Sequence, residues 1–180
     1  MGWTTEKGNI VMGKKIAAIV TNMFEDSEYT KPVEAFRDKG HEVVNVGLEA
    51  GKTIKGKKEG TEVHIDKAVS EASVEDFDAL LIPGGYSPDQ LRVNEKAVQF
   101  AGDFVKSGKP VFAICHAGQL LITARVLKGR RFTGYTSIEQ DIRNAGAEFI
   151  DKEVVVDGNL VSSRNPNDIP AFIEESLKQL

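Results

Sequence analysis

Residues 111–121 read VFAICHAGQLL and hold the chain's only cysteine, Cys115, with His116 directly behind it. Four apolar residues run straight into Cys-His, the small Ala117 and Gly118 follow, and a helix-like apolar pattern begins at Leu120. The pattern predicts a buried strand that turns sharply into a helix, with the cysteine on the turn. A thiol placed there meets orphan backbone N–H groups and the positive end of a helix dipole, which favour a thiolate. The same amides serve an oxyanion formed on a carbonyl that the sulfur attacks, which is the logic of a hydrolase nucleophile elbow with Cys in place of Ser. A lone cysteine is ordinarily a small buried hydrophobe. A buried strand, however, gives no reason for His, Ala and Gly at the point where the chain turns, so the reading favours a functional thiol.

Outward from this stretch, the chain alternates strand and helix signals over residues 14–180. That alternation predicts a single α/β domain, a doubly wound, mostly parallel sheet with helices on both faces. Residues 16–20 (IAAIV) read as the first strand, followed by a helix carrying Tyr29, Val33 and Phe36 that ends at Gly40; Pro32 fits only near its first turn. Residues 41–48 form a second strand and residues 53–65 a short hairpin. Ser73 and Asp76 open a brief helical turn that leads into the strand 79–82. That strand ends in Pro83-Gly84-Gly85-Tyr86-Ser87-Pro88, a turn where backbone approaches a neighbour closely. An amphipathic helix over 94–106 stops at Gly108, a short strand spans 132–135, and a helix from Ser137 closes before Gly146. Two strands about Asp157-Gly158 and a closing helix over 168–180 complete the chain.

At 180 residues, 28% charged and 41% apolar, with a net charge of −4, the composition is that of an ordinary globular chain. No basic stripe interleaved with aromatics marks a nucleic-acid surface. One cysteine makes no internal disulfide and no Cys/His set has metal-site spacing, so neither metal nor cofactor is expected, and a reducing, cytoplasmic location is. Residues 1–13 lack a signal-peptide core and read as a loosely held extension, with a second Met-Gly at Met12 as an alternative start.

In a doubly wound sheet, ligands bind beyond the carboxyl ends of the strands. Three loops then share one rim: the segment around Glu25, the Gly84-Gly85 turn, and Cys115-His116. Together they bring a carboxylate, glycine amides and a thiol to one place, the parts of a site for covalent addition to a carbonyl or acyl carbon.

FEDSE at residues 24–28, LIPGGYSPDQLR at 81–92, AICHAGQLL at 113–121 and VVVDGNLVSSRNPND at 154–168 resemble the PfpI branch of the DJ-1/PfpI superfamily. The resemblance spans residues 14–180. It implies a flavodoxin-like fold, a homodimer or higher oligomer, and Cys115 as nucleophile with Glu25 hydrogen-bonded to its sulfur. It also implies oxyanion and substrate contacts from Gly84, Gly85 and the His116 amide, with Tyr135 lining the site. In peptidase-like members a Glu at the position of Asp89 crosses the subunit interface to orient the histidine. Here that residue is Asp, which weakens the peptidase reading. Asp26 and Glu28 are expected to act only as cap or surface residues.

The class I glutamine amidotransferases share such an elbow but take their base from a histidine well downstream. Here no histidine follows His116, and His41 and His64 read as surface residues. Three functions stay open. One is a cysteine-dependent hydrolase, deglycase or glyoxalase-like enzyme acting on small dicarbonyls, glycated amines or thiols, or peptides. A second is a non-enzymatic redox or stress protein that uses oxidation of Cys115. The third is a holdase-type chaperone, for which no linear feature speaks.

Overall fold

Residues 79–82 (ALLI) and 111–114 (VFAI) are buried at every position, which requires strands covered on both faces. The computed structural model describes residues 2–6 and 9–180, with side chains from Gly13 onward. The chain begins with β1 (Gly2–Glu6) and β2 (Asn9–Met12), an antiparallel ribbon outside the main sheet. Met1, Lys7 and Gly8, within the extension expected over residues 1–13, lie outside the described residues. Then come β3 (Lys15–Ile19), α1 (Asp26–Asp38), β4 (Glu42–Gly47), the hairpin β5 (Thr53–Lys55) and β6 (Glu62–His64), and β7 (Lys67–Ala68). The centre of the chain supplies β8 (Ala79–Ile82), α2 (Ser87–Leu91), α3 (Glu95–Lys106), β9 (Val111–Ile114) and α4 (Gly118–Thr123). It closes with β10 (Arg131–Phe132), α5 (Glu139–Asn144), β11 (Glu148–Phe149), β12 (Val155–Asp157), β13 (Leu160–Ser163) and α6 (Ile169–Lys178).

The seven-stranded sheet has the order β12-β13-β9-β8-β3-β4-β7. All neighbours are parallel except the antiparallel pair at the β12 edge. This is the doubly wound, flavodoxin-like α/β domain that the alternating pattern predicts. Side chains alternate between two cores, as the period of two in a strand demands. Ala17, Ile19, Leu80, Ile82, Val111 and Ala113 face Phe100, Phe104 and Leu120 from α3 and α4. Ile16, Ala18, Leu81, Phe112 and Ile114 face Val33, Phe36 and Phe172 from α1 and α6. Burial of each large side chain contributes about 1.5–3 kcal/mol, so this central stack dominates the stability.

The structure departs from the sequence expectations in two places that matter for function. Residues 132–135 do not form a strand: β10 ends at Phe132 and pairs parallel with β11, away from the main sheet. Gly134 is wedged beside the Cys115 carbonyl, where an added Cβ would lie 3.1 Å from that oxygen, and the Tyr135 N–H donates to it at 3.0 Å. The chain thus leaves the strand to support the cysteine turn. The loop of the β5–β6 hairpin, in turn, is clamped to the start of α1 by Asp26. Its buried carboxylate accepts from the N–H groups of Lys58 at 2.9 Å, Glu59 at 3.3 Å and Thr61 at 3.1 Å.

Burial works against ionisation of Asp26, but the Thr61 hydroxyl and these backbone donors outweigh it and hold the carboxyl at about 2. A depressed folded pKa means that the stabilisation is fully present above 3.8 and is lost as pH falls from there through about 2. Asp26→Ala is expected to cost about 2 kcal/mol at pH 7. Its deficit against the parent should shrink as pH is lowered across that window. Equal denaturant midpoints at pH 7 would show that the carboxylate does not clamp the loop.

Candidate active site

The loops after β3, β8 and β9 meet through their backbones. Phe24 and Gly85 form an isolated antiparallel bridge, Glu25 N–H donates to the Gly84 carbonyl at 3.2 Å, and Tyr86 N–H donates to the Met23 carbonyl at 2.9 Å. Gly85 has a φ of 78°, and an added Cβ would lie 2.5 Å from the Glu25 nitrogen. At Gly84 a Cβ would lie 2.8 Å from the Cys115 Cβ. Both glycines are therefore required by close approach rather than by the turn alone.

Cys115 is buried and has a φ of 62°, a left-handed conformation in which a residue with a Cβ is strained. It opens a single 3-10 turn, Cys115–Ala117, and the six-residue α4 begins only at Gly118. The expected helix terminus at the sulfur is thus corrected. The backbone N–H groups of Gly85 and His116 act on the sulfur instead, both favouring its charged form.

The acid that meets the thiol is Glu28, which corrects the expectation for Glu25. The Glu25 carboxylate turns to the loop of the hairpin, 3.0 Å from Lys57 Nζ and 3.1 Å from Lys58 Nζ. Glu28 is fully buried; its Oε1 accepts from Gly84 N–H at 2.9 Å and its Oε2 has no hydrogen-bond partner among the described residues. It borders Cys115, since a Cβ added at Gly84 would lie 2.5 Å from Glu28 Oε1 and 2.8 Å from the Cys115 Cβ. Burial pushes the Glu28 carboxyl up to about 8; the Gly84 bond opposes this and the charge of Glu25 adds to it. Burial likewise pushes the Cys115 thiol up, negative charge on Glu28 adds to that, and the Gly85 and His116 amides oppose it. Both shifts run upward, so at neutral pH carboxyl and thiol each keep a proton, and a thiolate forms as the Cys115 proton leaves while Glu28 stays protonated. With that proton on Glu28, its O–H donates to a thiolate instead of repelling it.

His116 places Nδ1 3.3 Å from the Cys115 sulfur and Nε2 3.2 Å from the Ser137 hydroxyl. Its ring stacks on Tyr135 with centroids 4.9 Å apart, which makes Tyr135 a wall of the site. Burial and then the charge of Lys57 lower the His116 pKa, while Asp89 opposes them, so the ring is neutral at pH 7. Within the chain Asp89 is exposed, 3.8 Å from Arg92, and makes no hydrogen bond to His116 among those described. The Gly84 amide, expected as an oxyanion donor, is occupied by Glu28. His64 is exposed on β6, whereas His41 accepts from Lys14 N–H at 2.9 Å; neither belongs to the site.

Sequence reasoning missed Glu28, Ser137 and Lys57. A signal existed for the first, because Glu28, Pro32 and Phe36 fall on one buried stripe of α1 at spacings of four. Ser137 lies in the 3-10 turn Thr136–Ile138 and Lys57 in the hairpin loop, and no periodicity marks either as facing the site.

A doubly wound α/β chain with a cysteine on a strained elbow, a histidine behind it and a buried acid against the thiol defines a class of cysteine-elbow proteins. The model of the DJ-1/PfpI family matches residues 14–179, and the chain belongs to that family. It is 57% identical to General stress protein 18 of Bacillus subtilis over 94% of this chain and 99% of the relative. It is 56% identical to Protein/nucleic acid deglycase 2 of Escherichia coli, with the same coverage. Among solved structures, a two-domain protein from Anabaena variabilis with DJ-1/ThiJ/PfpI-like and ferritin-like domains superposes with a TM-score of 0.90 at 38% identity, over 92% of this chain and 47% of that one. Among the described residues, no helix is long and apolar enough to cross a membrane.

A carboxyl whose folded pKa is raised from 4.5 to about 8 costs stability progressively as pH rises through that interval. Glu28→Gln removes this dependence, so its melting temperature should gain on the parent between those limits. The same substitution should move the midpoint of the pH profile of Cys115 alkylation, whereas Glu25→Gln, whose carboxylate already faces two lysines, should move it far less. The reverse order would return the thiol's partner role to Glu25.

Proposed function

We propose that the protein is a cysteine-dependent stress-response enzyme of the deglycase or glyoxalase-like kind, with Cys115 as nucleophile. The observation that carries this is a cysteine at a strained φ of 62°, with the fully buried Glu28 carboxyl packed beside it against Gly84 and His116 Nδ1 3.3 Å from its sulfur. Two of the similar proteins are named a general stress protein and a protein/nucleic acid deglycase, which supports the same reading.

In the first step the Cys115 thiolate adds to an aldehyde or ketone carbon. The S–C bond forms, the carbonyl π pair moves to oxygen, and that oxygen takes the Glu28 proton, leaving a hemithioacetal and a Glu28 carboxylate. The amides of Gly85 and His116, which favour the charged sulfur before attack, would donate to the developing oxyanion once the sulfur is bonded to carbon. With a 1,2-dicarbonyl, His116 removes the proton from the carbon bearing sulfur and returns it to the neighbouring carbon, giving a thioester without net oxidation. Water then releases a hydroxy acid and the thiol. Glycated amines and thiols carry the same carbonyl and are the second substrate class; peptides are the third, with Asp89 standing where a peptidase-like site has Glu.

We also propose a homodimer or larger assembly in which Asp89 of a neighbouring subunit joins Ser137 in orienting His116. An orienting carboxylate stabilises the charged imidazole. A second reading uses the same donors, since Glu28 O–H and the two amides would equally hold a sulfinate on Cys115.

Cys115→Ala should abolish loss of methylglyoxal and release of methylglyoxal-modified amines while leaving the melting temperature within a few degrees. Retained turnover would exclude the cysteine mechanism. An inactive wild-type protein that gains two oxygen atoms at Cys115 under mild peroxide would favour the redox reading. Mixing Cys115→Ala with Asp89→Asn under proven subunit exchange should restore part of the activity if Asp89 acts across an interface, and no recovery would place all catalytic groups in one chain.

A further inference from the structure

The hairpin loop that Asp26 clamps carries a cation to the mouth of the site. Lys57 N–H donates to the Phe24 carbonyl at 2.9 Å, on the same strip of backbone that bridges to Gly85. Its ammonium lies 5.3 Å above the centre of the Tyr86 ring, which is 60% exposed beside the Gly84-Gly85 turn. Glu25 holds the ammonium at 3.0 Å and shares its single negative charge with Lys58 at 3.1 Å. With Lys58 on its other oxygen, Glu25 does not neutralise Lys57 alone, and the Lys57 ammonium stays over the exposed Tyr86 ring.

We propose that Lys57, with Lys58 behind it, is a specificity-determining residue that favours substrates carrying a carboxylate or phosphate close to the carbonyl that Cys115 attacks. The inference rests on the nucleophilic role of Cys115 proposed above. The charge of Lys57 acts on Glu28, on Cys115 and on His116 alike, so it faces the reacting atoms rather than bulk solvent alone. The two-point hold by Glu25 and the Tyr86 face fixes its position at little entropic cost on binding. A neutral dicarbonyl gains nothing from this charge, whereas an oxo acid or phosphorylated aldehyde does.

A pair of alkylating reagents tests this without turnover. Iodoacetate and iodoacetamide react with the same sulfur at the same carbon, so the ratio of their rates cancels any change in thiolate population. Lys57→Gln should lower the iodoacetate-to-iodoacetamide ratio at Cys115 by roughly fivefold, the scale of one partly exposed charge. Lys57→Arg should keep the parent ratio, and Glu25→Gln, which removes the counter-charge, should raise it. The parent's preference should also fall with added salt. Equal ratios in parent and Lys57→Gln, with Cys115 still reactive, would overturn the role of Lys57 alone. A Cys115 inert to both reagents would instead overturn the nucleophilic reading and, with it, the inference built on it.

Discussion

The buried Glu28 carboxyl is the constraint on which the site depends. It reaches Gly84 N–H from α1 and Cys115 from below the elbow, so one side chain ties the loop after β8 to the turn after β9. Gly84 has no Cβ because that carboxyl and the cysteine occupy the space one would take. A charged carboxylate there, without a cation in hydrogen-bond reach, would be expensive. Keeping the proton removes the cost, and it converts a group that would oppose a thiolate into a donor for one.

The surrounding structure supplies what such a group needs. Three parallel strands end at the same edge, the β8 and β9 strands being anchored by side chains with no exposure at all. The strained φ at Cys115 persists because its carbonyl is held by Tyr135 N–H at 3.0 Å and its sulfur lies 3.3 Å from His116 Nδ1. Strain of this kind costs on the order of 1–3 kcal/mol and survives only where neighbours fix the backbone. The helix that follows is too short and starts too late to act on the sulfur.

How much of this was legible in the sequence depends on whether the signal was periodic. The strands and the order of helices were readable, because apolar runs such as ALLI and VFAI have no other stable place than a sheet covered on both faces. The gathering of three loops followed from parallel topology. Thr133 and Tyr135 are strand-forming residue types, which favours a strand over 132–135, but it stops at Phe132 because Gly134 and the Tyr135 N–H are drawn to the cysteine carbonyl, a tertiary demand that no local pattern encodes. The partner of the thiol was misassigned because FEDSE offers two glutamates and the resemblance did not distinguish them; the helical stripe through Pro32 and Phe36 does.

Those two glutamates, three residues apart, show how position on one helix divides their chemistry. Glu25 sits at the N-cap of α1 with its carboxylate turned to the ammonium groups of Lys57 and Lys58. Glu28 lies one turn further in, on the buried stripe, where no lysine follows it and only an amide and the thiol remain as partners. Rotation of about 300° around the helix thus separates a buried carboxylate paired with two lysines from a buried acid with none in hydrogen-bond reach. The outer one keeps a cation at the mouth of the site and the inner one keeps a proton at its floor.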